Sequence, residues 1–270
     1  MTILSGSDVA LFVKERQAKQ VRALRQSAKV VPRLAIIQTT QDPVTNTYVR
    51  LKQQYAEDIL VETECHLISQ SDIHETINEL NRRTDVHGII VQLPLEDKSQ
   101  TEEIVHLIDP SKDVDGLGSD QYFTPATPMA IAWLLAAYGV DLSTKSIAIV
   151  GQGRLVGAPL AKMWKENGYQ VTTYDSSTRD LSSDLRHHDL IVTATGAPGL
   201  IESDMIQIGA TLVDAGTASE HGKIISDVSP DVRSRDDLTI TPERGGVGPL
   251  TVAALIDNVI TAARRTVSSN

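Results

Sequence analysis

Two groups of residues have types and spacings that could do chemistry. Tyr48 and Lys52, in TYVRLK, stand four apart, so a helix places them one turn apart on a single face. With Leu51 and Tyr55 on that face, the lysine is expected against apolar surroundings. Burial there would lower its pKa and suit it to proton transfer, whereas a lysine in water keeps its charge. Gln92 interrupts the apolar run GIIVQLPL, read as a buried strand over Gly88 to Leu95. A polar amide at such a place needs a partner, at a cost of roughly 1–3 kcal/mol if it has none. It serves either a neighbouring backbone group or a lysine it orients. Asp113 and Asp115, in KDVDG, are turn acids at the junction where a cleft would open.

The second group is a glycine turn. SIAIV-GQGRLVG-APLAKMW sets Gly151, Gly153 and Gly157 between an apolar run and a helical one. The first glycine permits a tight turn and the second lets a pyrophosphate approach the backbone. The third allows close helix–strand packing, and the helix start offers N–H groups to an anion. The spacing is GxGxxxG, weak alone, but a strand precedes it, a helix follows, and a second strand ends at Asp175. An acid there would accept hydrogen bonds from a ribose with two free hydroxyls; equally, Asp175 caps the next turn. Ser176 and Arg179 follow and suit a phosphate, so the residues leave NAD and NADP open.

These groups need elements to hold them. Helical spacing runs from Asp8 to Ser27, followed by a β-rich run from Arg33 to Thr40 and a helix from Asn46 to Asp58. VETECHLI reads as a strand, and Ser71 to Arg83 as a helix opened by Asp72. Strands alternating with helices over short links imply a parallel sheet. Between Asp109 and Pro128 the texture turns to Pro, Gly, Asp and Thr, which marks a boundary. A second α/β series follows: a helix from Met129, strands SIAIV, QVTTYD, LIVTATG and TLVDAG, a final segment LTITP, and an amphipathic helix from Leu250 to Thr266.

Bulk properties narrow the classes. With 270 residues, 41% hydrophobic and only 4% aromatic, the core must rest on aliphatic side chains. A net charge of −10 argues against nucleic acid or an anionic membrane as main partner. Cys65 is the only cysteine, which suits a reducing interior. The start lacks a signal-peptide pattern and the apolar run Ile131 to Val140 is too short to span a bilayer, so a cytoplasmic protein is expected. His187, His188 and Asp189 adjoin, yet no third ligand is apparent and the stretch reads as a solvated helix end; no metal is expected.

Taken together, TYVRLK, GIIVQLPL, KDVDG, TPATP, GQGRLVGAP, VTATGAPG and GGVGPLTVAAL resemble the methylenetetrahydrofolate dehydrogenase/cyclohydrolase family, in its order and over nearly the entire chain. The resemblance implies two α/β domains flanking a cleft. Residues 1–122 would form the substrate domain, rejoined by a C-terminal helix over 250–270. Residues 123–249 would form a Rossmann-type dinucleotide-binding domain, and two chains a homodimer. It implies that Lys52 is catalytic, that Gln92 orients it, that Tyr48 packs along the folate's aminobenzoyl ring, and that Asp115 binds the pterin. Leu93, Pro94, Gly246, Val247, Gly248, Pro249 and Thr251 would complete the folate site. The dinucleotide would meet Thr127, Gly151, Gln152, Gly153, Arg154, Val156, Gly157, Asp175, Ser176, Thr195, Gly196 and Thr217. NADP is the family's usual cofactor.

The chain departs from the family pattern in places. The connection after KDVDG is abbreviated, PATP carries Ala126 where cysteine is usual, and Arg244 stands where proline is usual. Gln152 and Asp175 replace the usual arginine and histidine, and both changes favour NAD, while Arg154 could supply the missing cation and so keep NADP, the family default. Two other readings compete: a Rossmann dehydrogenase of another small substrate, of shikimate or amino-acid type, and a dinucleotide sensor without chemistry. GIIVQLPL and GGVGPLT speak against the first, and retention of Tyr48, Lys52, Gln92 and Asp115 against the second.

Overall fold

The computed structural model describes residues 1–118, 122–216, 218–220 and 223–268. In chain order the elements are β1 (Thr2–Ile3), α1 (Gly6–Ala23), β2 (Arg33–Gln38), α2 (Pro43–Asp58), β3 (Glu62–Leu67), α3 (Ile73–Arg82), β4 (Gly88–Val91) and α4 (Thr101–Val105). Then come α5 (Ala126–Ala137), β5 (Ile147–Val150), α6 (Gly157–Glu166), β6 (Val171–Tyr174), α7 (Leu181–Leu185), β7 (Leu190–Thr193), β8 (Thr211–Asp214), β9 (Ala218–Glu220), β10 (Lys223–Ile225), β11 (Thr239–Ile240) and α8 (Val247–Ser268). The chain divides into two compact units. One comprises Met1–Ala10 and Thr127–Thr251, the other Leu11–Ala126 and Val252–Asn270.

The unit built on residues 11–126 has a three-stranded parallel sheet in the order β3-β2-β4. Leu34 to Ile37 of β2 and all of β4 are buried, as expected of parallel strands covered on both faces. Ile73, Ile77 and Leu80 recur at helical spacing on α3 and pack with Ala35, Ile37, Ile89, Val91 and Ile104. Truncating Ile77 to alanine in such a core costs about 2–5 kcal/mol. Helix α2 starts earlier than its apolar spacing suggests. Asp42 accepts hydrogen bonds from the Val44 and Thr45 N–H groups, both at 3.0 Å, and Pro43 occupies the first turn, where its missing N–H costs nothing.

The unit built on residues 127–251 carries a six-stranded sheet in the order β1-β11-β8-β7-β5-β6, with parallel pairing throughout. After β5 the chain lays β6 on one side and β7 on the other. The strand order thus reverses at β5, and sheets of this kind bind ligands outside the carboxyl ends of the strands at such a point. Strands β5 and β7 are wholly buried.

Several details differ from the sequence reading. The first strand, β1, joins the far edge of this sheet through hydrogen bonds from Thr2 and Leu4 to the 238–240 segment, a pairing too short to leave a sequence signal. The short helices α4 and α7 and the antiparallel pair β9–β10 were likewise not expected. Strand β4 ends at Val91, one residue before Gln92, and the Leu93–Pro94 peptide is cis. On α2 the buried positions are Thr45, Val49 and Ala56, while Leu51 is 49% exposed. The face expected to be apolar is therefore rotated. Asp72 precedes α3 without donating or accepting a cap through its side chain.

Candidate active site

Lys52 projects from the third turn of α2 and Gln92 from the residue just after β4. The lysine ammonium donates to Gln92 Oε1 at 2.7 Å, while Gln92 Nε2 donates to the Leu93 carbonyl at 3.0 Å. Gln92 is held in turn by its N–H, which donates to Ile37 O at 2.8 Å. Its amide thus serves a backbone group and the lysine together, where the sequence allowed either. Lys52 is only partly exposed. Desolvation lowers its pKa from the ordinary lysine value, and the nearby Asp115 carboxylate opposes the shift. Burial likewise raises the pKa of Asp115, which Lys52 opposes. The two interact through space without a contact ion pair among the described residues. Tyr48, half-buried one turn from Lys52, has its pKa raised by burial and keeps its phenol protonated. Thr40 Oγ1 donates to Pro94 O at 3.4 Å, and Pro94 itself is exposed. Tyr48, Lys52, Gln92, Leu93, Pro94 and Asp115 thus belong to one unit, and the lysine, glutamine and acid form one electrostatic group.

The glycine turn belongs to the other unit. Gly151 has a φ of +96°, which favours glycine, and an added Cβ would press on the Ala194 backbone. A Cβ on Gly157 would collide with the Gly151 carbonyl, so close packing of α6 against the turn requires that residue. Nothing lies within 4 Å of a Cβ built on Gly153, so its backbone is open to approach. Val156, at the N-cap of α6, gives no side-chain hydrogen bond. Gln152 and Arg154 are exposed, and Gln152 Nε2 donates to Gly151 O at 2.9 Å. An uncapped helix start beside an open glycine backbone fits a dinucleotide pyrophosphate.

Asp175 follows β6 and is exposed. Its Oδ1 accepts from the Ser177 N–H at 2.8 Å and the Ser177 hydroxyl at 2.6 Å, which hold its pKa below the usual carboxylate range. It is a turn residue in this sense, and Oδ2 accepts no hydrogen bond from the described residues. Ser176 is exposed beside it. On the β7 side, Thr195 Oγ1 accepts from Ala197 N at 3.0 Å and Gly196 takes a φ of +67°. Thr127 and Thr251 meet, their hydroxyls 3.5 Å apart, and Thr251 Oγ1 also lies 3.3 Å from Val247 O.

Helix α8 begins at Val247, so Val247, Gly248 and Pro249 form its first turn rather than a preceding loop. Gly246 is fixed by its neighbours, since a Cβ there would press on Thr241 and one on Gly6 would collide with Gly246 O. Arg244 is exposed. Thr217 lies outside the described residues.

Two features escaped the sequence reading. Asp227, fully buried, accepts from Thr193 Oγ1 at 2.8 Å and Thr195 N at 2.7 Å, bracing the loop after β7. An acid in SDVSP carries no spacing that signals this. His188 is buried rather than solvated and lies 2.8 Å from the Tyr174 hydroxyl, three residues past the end of α7. Among the described residues no group of three or more His, Cys, Asp or Glu side chains could hold a metal, and no helix is long and apolar enough to cross a membrane.

Two family models match the chain. Residues 4–115 match the tetrahydrofolate dehydrogenase/cyclohydrolase catalytic domain, and residues 125–267 the NAD(P)-binding domain of the same family. The chain belongs to the tetrahydrofolate dehydrogenase/cyclohydrolase family. Among its relatives, the bifunctional protein FolD of a Nitratiruptor species is 35% identical, covering 98% of this chain and 99% of that one. A crystal structure of the Campylobacter jejuni bifunctional methylenetetrahydrofolate dehydrogenase/cyclohydrolase superposes with a TM-score of 0.92 at 36% identity, covering 98% of this chain and 99% of that one. The Trypanosoma brucei family member, solved with NADP cofactor and inhibitor, also gives 0.92 at 29% identity, covering 99% and 98%. The family match covers both units, so the glycine turn belongs to an NAD(P)-binding domain and the Lys52 group to a catalytic one.

Proposed function

We propose that the protein oxidises methylenetetrahydrofolate to methenyltetrahydrofolate with a nicotinamide dinucleotide, and hydrolyses the methenyl product to formyltetrahydrofolate. The observation that carries the reading is the hydrogen bond between Lys52 and Gln92 on a lysine whose pKa burial lowers. A bound dinucleotide supplies the hydride acceptor for the first reaction. Gly151, Gly153 and the start of α6 would hold its pyrophosphate, with Thr195, Gly196 and Thr127 on the nicotinamide side.

The chain's own residues do the rest. Loss of hydride leaves a methenyl cation, beside which a permanently charged lysine would be unfavourable. A lysine with lowered pKa has its neutral form within reach and accepts a proton from the attacking water as the new C–O bond forms and the C=N⁺ π pair returns to nitrogen; the same proton is then delivered to the leaving nitrogen as its C–N bond breaks and the formyl group is released. Gln92 aims Nζ, which converts a loose encounter into a positioned one. Tyr48 offers a half-buried ring to stack on the aminobenzoyl group, and Asp115 an acceptor for pterin N–H donors. Leu93 and Pro94, with Gly246, Val247, Gly248, Pro249 and Thr251, would complete the folate site.

For the cofactor we infer a preference for NAD. Asp175 is ionised, exposed and placed after β6, where it would repel a 2′-phosphate and accept from a free ribose hydroxyl. Gln152 adds no cation. The chain is expected to act as a homodimer in the cytoplasm. The edge strand β3, with Leu67 half exposed, is available to a second copy, and scattering in solution tests the assembly.

The deciding experiment mixes purified protein with methylenetetrahydrofolate and either NAD or NADP, following reduced cofactor and methenyl product separately. Reduction with NAD and hydrolysis of added methenyltetrahydrofolate are expected. No turnover with either cofactor and no hydrolysis would overturn the proposal.

A further inference from the structure

Asp115 has no hydrogen-bond partner of its own among the described residues, so its backbone alone aims it. That backbone is gripped on both sides. Before it, the Val114 carbonyl accepts from Asn258 Nδ2 at 2.9 Å, and the same amide donates to Thr124 O at 2.9 Å. Asn258 is buried on α8, more than 140 residues along the chain from Val114. After it, the Gly116 N–H donates to Asp113 Oδ1 at 3.1 Å and the Gly118 N–H to Asp113 Oδ2 at 2.7 Å. Asp113 is 4% exposed and tied to the sheet by a bridge to Ile89. Gly116 takes a φ of +67°, and an added Cβ would press on Phe123 O and Pro125 N, so the turn has no slack.

We propose that Asp113 and Asn258 are positioning residues for Asp115, holding its carboxylate where the folate substrate meets it. The inference rests on the reading that Asp115 binds the folate. The choice of a carboxylate at 113 follows from the donors it serves. The Gly116 and Gly118 N–H groups bond different oxygens of the carboxylate, and an asparagine presents an acceptor oxygen at only one of those two places. A buried carboxylate beside a second one is electrostatically unfavourable. An amide would avoid that cost and lose one of the two bonds. At position 258 the demand is reversed: two carbonyls need two N–H donors, which an asparagine amide has and an aspartate lacks.

The test compares Asp113→Asn, Asn258→Ala and Asp115→Ala with each pairwise combination that includes Asp115→Ala. KM for methylenetetrahydrofolate, the KM for the dinucleotide and the pH profile of hydrolysis are measured on variants shown by thermal unfolding to be folded. Each of Asp113→Asn and Asn258→Ala should raise the folate KM about tenfold, the factor that 1.4 kcal/mol gives. The dinucleotide KM should not move, and the pH limb reporting Lys52 should shift downward as Asp115 leaves its neighbourhood. In the Asp115→Ala background neither substitution should add anything, since coupled residues are not additive. Full multiplication of the effects in the double variants would overturn the proposal, and so would an unchanged folate KM in both single variants. If Asp115→Ala itself leaves the folate KM unchanged, the assignment of Asp115 has failed and the proposal falls with it. Should Asp113→Asn fail to fold, Asn258→Ala decides by the same criteria.

Discussion

Replacing Gln92 by leucine tests the proton-transfer reading most directly, because it removes the acceptor of Lys52, along with the Nε2 donor to the Leu93 carbonyl, and changes little volume. The Lys52 Nζ to Gln92 Oε1 distance of 2.7 Å is at the short, charge-assisted end of N–H···O bonds. Such a bond contributes about 1.5–3 kcal/mol. If the substitution loses all of it in the transition state, kcat for hydrolysis falls roughly 10- to 150-fold. The sign of the pH effect is fixed independently. Oε1 accepts from the ammonium and stabilises the charged form, so its loss lowers the Lys52 pKa beyond the lowering that burial already causes. The limb of the pH–rate profile that reports Lys52 must then move to lower pH. The assay is the initial rate of methenyltetrahydrofolate hydrolysis from mildly acid to alkaline pH. Dinucleotide binding is the control, because the glycine turn belongs to the other unit. A variant whose kcat and pH profile match the parent's would refute the argument that Gln92 acts through Lys52.

Three further substitutions probe other parts of the reading. Lys52→Arg keeps a positive charge that cannot be released near neutrality, and should abolish hydrolysis as fully as Lys52→Met while dinucleotide affinity stays unchanged; residual hydrolysis near the parent rate would remove the lysine from the mechanism. Asp175→Ser withdraws the carboxylate that faces an added phosphate, so the ratio of kcat/KM with NADP to that with NAD should rise severalfold. An unchanged ratio would leave Asp175 as the anchor of the Ser177 turn alone. Gly157→Ala drives a methyl group into the Gly151 carbonyl and should cost about 1–3 kcal/mol of stability. It should also weaken dinucleotide binding, as thermal unfolding with and without NAD would show.

The candidate residues could be picked out because local spacing carries them. Tyr48 and Lys52 share a helix face through the 3.6-residue repeat alone, and the glycines of GQGRLVG announce a turn through their lack of a Cβ. Buried runs such as SIAIV and LIVT mark parallel strands for the same local reason. What the sequence could not show is which distant groups meet. The Lys52–Gln92 bond joins residues 40 apart, and the Asn258 amide reaches Val114 from 144 residues away, through packing that no periodicity encodes. Strand β1 earns its place from β11 alone, and Asp227 its role from the loop it braces. The rotated face of α2 has the same origin: the helix turns Thr45, Val49 and Ala56 inward and leaves Leu51 exposed, an orientation the spacing of apolar residues did not foretell. The order of side chains along the chain therefore determined which chemistry was present, and tertiary packing decided which groups were brought close enough to shift one another's protons.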